Sequence, residues 1–100
     1  MGKYNKLVRD KIPEFLDSKN IPYEKRIANE EEFQEELIKK LDEEIKEFLE
    51  AKNVHELADI LEVIEVLKKL PEFRDVEKTR KEKFEERGGF EKRIILKGEK

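Results

Sequence analysis

The chain has 100 residues, 23 of them basic and 26 acidic, for a formal net charge of -3, and it contains no cysteine and one histidine. This composition argues against disulfide frameworks, thiolate chemistry and multi-histidine zinc sites, and the evenly mixed charge lacks the basic field that would hold DNA or RNA. No apolar run is long enough for a membrane span or a signal-peptide core, so a cytoplasmic protein is expected. Leu, Ile, Val and Phe still supply about thirty residues, enough for one small core in a single domain over residues 1–100. A core that small is often completed by a second copy, so a homodimer or homotetramer is expected. Heavy Lys and Glu usage resembles the bias of thermophile proteins.

In chain order, Tyr4 to Asp10 reads as an ordered basic arm. A short helix is predicted from about Asp10 to Lys19, with Pro13 tolerated in its first turn and Ile21-Pro22 ending it. Tyr23 to Ala28 alternates weakly, as a short strand does. Asn29 with Glu32 is a capping-box signal. It opens a long helix to about Ala51, carrying Phe33, Leu37, Leu41, Ile45 and Phe48 in one apolar stripe. Asn53 with Glu56 repeats the signal and opens a second long helix that ends before Pro71. A turn of one or two residues makes the two an antiparallel hairpin. A fourth helix, about Glu72 to Arg87, stops at Gly88-Gly89, read as a helix C-cap with a phosphate loop as the alternative, and Phe90 to Lys97 is expected to pair as a strand with Tyr23 to Ala28. The fold class is therefore all-α, an antiparallel bundle of about four helices around a central hairpin, with a short two-stranded pairing and completion by oligomerisation.

Four acids break this pattern. On a helical wheel Glu44 falls inside the stripe of the first long helix and Glu47 on its edge, while on the second Glu56 sits among the apolar residues and Asp59 borders them. With the turn centred between Ala51 and Lys52, Glu47 faces Glu56 and Glu44 faces Asp59. Each helix presents its pair at i and i+3, on one face. Unpaired, such a cluster is unfavourable, because like charges repel and desolvation opposes ionisation. A hard divalent cation resolves the conflict, and all-carboxylate ligands suit Mg²⁺ or Mn²⁺. Taken singly, Glu56 reads first as the capping-box glutamate of Asn53, and Glu47 as a solvated edge charge.

At these residues the sequence resembles the MazG-like all-α nucleotide pyrophosphohydrolases, whose signature is an ExxE pair followed on the next helix by an ExxD pair. The pairs here are Glu44-Ile45-Lys46-Glu47 and Glu56-Leu57-Ala58-Asp59. The segments Tyr4-Asn5-Lys6-Leu7-Val8-Arg9-Asp10-Lys11-Ile12-Pro13 and Arg87-Gly88-Gly89-Phe90 are similar to a compact, phosphoribosyl-ATP pyrophosphohydrolase-like branch. The resemblance implies an oligomeric all-α fold. It also implies Mg²⁺-dependent cleavage of a nucleotide between its α- and β-phosphorus, to a monophosphate and pyrophosphate. Carried over, it makes Glu44, Glu47, Glu56 and Asp59 metal ligands.

Such a reaction needs a water oriented or deprotonated by a carboxylate, for which Glu43 and Glu44 are the candidates. It also needs basic groups for the phosphates, and the arm offers Lys6, Arg9 and Lys11 while the region of the glycine pair offers Lys83, Arg87 and Arg93. Tyr4 and Asn5 are candidates for contacting a base. His55, at a helix N-terminus, reads as an exposed residue without a role. The competing reading is a non-catalytic helical oligomerisation or interaction module in which the acids are capped or solvated.

Overall fold

The computed structural model describes residues 5–99. The chain divides into two compact units, 1–67 and 68–100. Tyr4 lies outside the described residues. Among the described residues four α-helices are formed: α1 (Ile12–Ser18), α2 (Glu30–Ala51), α3 (Val54–Leu67) and α4 (Val76–Arg87). None is long and apolar enough to cross a membrane.

In the first unit, α1 carries Pro13 in its first turn, where a missing N–H costs nothing. Asn20 ends it in the left-handed region at φ 56, and the Ile21 N–H closes on the Leu16 carbonyl at 3.0 Å. The long helices begin as the sequence predicts. Asn29 Oδ1 accepts from the Glu32 N–H and Asn53 Oδ1 from the Glu56 N–H, both at 2.9 Å. In neither case is the glutamate occupied with its own cap. Glu32 instead takes both guanidinium nitrogens of Arg26 at 2.5 and 2.6 Å, which leaves the asparagine as the working half of each capping box. Between α2 and α3 the chain turns in two residues, with Lys52 left-handed (φ 51) and its N–H on the Phe48 carbonyl at 2.7 Å.

The hairpin of α2 and α3 provides the main packing of the first unit. Its centre is Leu37 on α2 and Val63 on α3, with Phe33, Leu41, Phe48, Ile60 and Ile64 half-buried. Two helices can cover only one side of each other. Ile45, Leu49, Leu57 and Leu61, all from the broad apolar faces, accordingly remain exposed in the single chain.

In the second unit, α3 is not followed by one continuous fourth helix. Leu70, preceding Pro71, is held extended (ψ 140), and Pro71–Phe73 forms a 3-10 turn before α4 starts at Val76, four residues later than the sequence suggests. Nine of the twelve residues of α4 are charged and none is buried. Gly88 ends it as predicted: its φ is +77, which a side chain would strain, and its N–H reaches the Phe84 carbonyl at 2.7 Å.

The predicted strand pairing does not form, and no strand occurs among the described residues. Each segment is diverted by local bonds. Tyr23 donates to Asp17 and Arg26 to Glu32, which ties the first segment to the ends of the flanking helices. The start of the second is folded into a turn, with the Arg93 N–H on the Phe90 carbonyl at 3.1 Å and Arg93 itself left-handed at φ 59. Ile94-Ile95-Leu96 then follow without the alternation that a half-buried strand needs.

Candidate metal centre

α2 and α3 bring Glu44, Glu56 and Asp59 into one group in which a carboxylate oxygen of each lies within 4.8 Å of the others. Helical spacing places Glu56 and Asp59 one turn apart on the same side of α3, and the tight turn folds that side against α2, where Glu44 interrupts the apolar stripe. Glu44 is the sole buried charged residue among those described, at 7% exposure. The Oε2 atoms of Glu44 and Glu56 are buried without a hydrogen-bond partner. That is a costly arrangement unless something else satisfies them.

The electrostatics agree with the geometry. Burial raises the Glu44 carboxyl above its usual range, and the Glu47 and Asp59 charges and a hydrogen bond with Glu47 raise it further, with Lys40 opposing. Burial likewise raises Glu56, followed by the charges of Glu47 and Asp59. Glu47 is exposed and is not one of the group of three, but it adjoins the group, acting on both Glu44 and Glu56 through its charge and a side-chain hydrogen bond.

These donors fit a hard cation. Three carboxylate oxygens this close together could hold one ion among them. Carboxylate oxygens without nitrogen or sulfur suit Mg²⁺, Mn²⁺ or Ca²⁺ rather than softer metals.

Basic residues meet the acids. Arg9 Nη2 donates to Asp59 Oδ1 at 2.7 Å, and Lys6 Nζ lies 3.5 Å from Glu43 Oε1. Lys40, which the sequence reading passed over, stands 3.7 Å from Glu44 and 3.8 Å from Glu43. Its signal was the i,i+4 spacing to Glu44. Glu43 thus turns toward lysines rather than into the group of three. Lys11 stands at the N-cap position of α1 with no side-chain cap bond, and without an ion pair to the acids among the described residues. Lys83 and Arg87 lie on α4 and Arg93 beyond it, all in the second unit and exposed.

No family model matches the chain, and neither a search of curated proteins nor one of solved structures finds a similar protein.

Proposed function

We propose that the protein is a metal-dependent nucleotide pyrophosphohydrolase. It would cleave a nucleoside triphosphate, or a related nucleotide such as phosphoribosyl-ATP, between the α- and β-phosphorus. The observation that carries the reading is the group of Glu44, Glu56 and Asp59, with two buried, unpartnered carboxylate oxygens between apolar helices. The resemblance of the ExxE and ExxD pairs to MazG-like enzymes points to the same residues.

In this reading Glu44, Glu56 and Asp59 hold Mg²⁺ or Mn²⁺, with Glu47 joining as a fourth carboxylate. When bound, such an ion neutralises phosphate charge and lowers the pKa of a coordinated water. The protein's own part is positioning. Glu43 and Glu44 are one residue apart on α2, so they look in different directions, and Glu44 is the one in the acid group. Glu43 holds Lys6 and Lys40 in place. Arg9 and Lys6 give the acid site a basic margin suited to phosphate oxygens. The uncovered apolar residues Ile45, Leu49, Leu57 and Leu61 support a homodimer or homotetramer built on the hairpin.

The test is a panel of NTPs, dNTPs and phosphoribosyl-ATP incubated with Mg²⁺ or Mn²⁺, with pyrophosphate measured. Release is expected for at least one nucleotide, to be lost on chelation and in Glu44→Ala and Asp59→Ala. Release that survives both substitutions rejects the assignment. The alternative, a non-catalytic interaction module, predicts no rise of melting temperature with metal, whereas a metal site predicts one that grows with concentration.

A further inference from the structure

The cations around the acid group differ in how they are held. Lys40 is fixed on the same helix as Glu44, one turn away. Arg9 reaches Asp59 across 50 residues of sequence from the non-helical arm, and its side chain is 58% exposed. Its guanidinium bonds Oδ1 of one of the three carboxylates that a cation would use and leaves the Oε2 atoms of Glu44 and Glu56 without partners. One guanidinium bond is an incomplete answer to this site. A divalent ion among the three oxygens satisfies all of them, and an exposed ion pair is weak enough to be exchanged for it.

We infer that Arg9 is a displaceable counter-ion of the acid group: it neutralises Asp59 while no divalent cation is present, yields that carboxylate when the cation binds, and is then available to an anionic ligand of the metal. This rests on the metal-centre part of the proposed function and adds an order of events to it. Cation binding comes first, and it frees the arginine that receives the phosphate. Arg9 is in this sense a positioning and regulatory residue, coupled reciprocally to the metal.

The experiment titrates Mn²⁺ into the full chain by calorimetry, without nucleotide, for the wild type, Arg9→Gln, Arg9→Lys and, as a charge-matched control elsewhere, Arg26→Gln. Arg9→Gln is expected to bind Mn²⁺ about two- to five-fold tighter, the worth of one exposed ion pair. Arg9→Lys should behave like the wild type and Arg26→Gln should not change the affinity. A second readout follows from linkage: Arg9→Gln should melt below the wild type in EDTA, with the gap closing in saturating Mn²⁺. In saturating Mn²⁺, inorganic pyrophosphate should bind the Arg9→Gln variant more weakly. Unchanged or weaker Mn²⁺ affinity in Arg9→Gln overturns the inference, as does absence of Mn²⁺ binding in all four proteins. Because no nucleotide is cleaved in these measurements, failure of the hydrolase reading and failure of this one are separately visible.

Discussion

Glu44 illustrates how one residue reports a site. A carboxylate buried to 7% exposure, with one oxygen unpartnered and with acids for neighbours, has a raised pKa chiefly because burial disfavours its charge. The consequence for stability has a definite sign. The folded protein holds the proton more tightly than the unfolded chain, so without metal this group favours folding at pH values below about 4.5 and loses that advantage as pH rises through its raised value. At neutral pH in EDTA, Glu44→Gln should therefore melt above the wild type, with the difference disappearing as pH falls. Mg²⁺ should reverse the order, stabilising the wild type and not the variant. Thermal melts across pH with and without Mg²⁺ check both statements. Exposed pairs such as Arg26 with Glu32, whose carboxyl is lowered by the guanidinium, contribute in the opposite direction, losing stability as acid protonates the glutamate.

Among the elements, the two asparagine caps and the αL turn at Lys52 set the register that presents the acids. Removing the side chain in Asn53→Ala deletes the acceptor for the Glu56 N–H and is expected to cost about 1 kcal/mol. Since Glu56 belongs to the acid group, the same substitution should weaken metal binding, whereas Asn29→Ala should lower Tm similarly and leave metal affinity unchanged. α4 depends on Gly88 in another way. Gly88→Ala forces a Cβ into φ +77, at about 1–2 kcal/mol, and faster amide exchange in the last turn of α4 would show it. The two long helices were legible because apolar period and asparagine cap agree in each. The start of α4 was not, because Pro71 both opens a 3-10 turn and leaves four residues before a regular helix begins.

At the level of the whole molecule, Leu37 and Val63 are the only buried apolar residues among those described. A hairpin with so small a core and with Ile45, Leu49, Leu57 and Leu61 exposed is expected to associate through these residues. Sedimentation should give a mass of at least 24 kDa, twice the 12.0 kDa of the chain. Leu61→Glu should return it toward the monomer and lower Tm, since the exposed leucine would be replaced by a charge at the contact. A monomeric wild type at micromolar concentration would remove the oligomer from the proposal.

By itself the sequence determined the helical character, the hairpin, the two asparagine caps, the glycine stop of α4 and the placing of acids on apolar faces, because each follows from local spacing and backbone chemistry. Only the tertiary structure decided which acids meet. It joined Glu44 with Glu56 and Asp59, set Glu47 beside Glu44 and Glu56, turned Glu43 toward Lys6 and Lys40, and set Arg9 on Asp59. It also removed the strand pairing between Tyr23 to Ala28 and Phe90 to Lys97, since alternation states a preference whereas a strand exists only where a partner supplies its hydrogen bonds. Contacts between residues fifty positions apart depend on how the turn, the caps and the arm combine, and no local period encodes that.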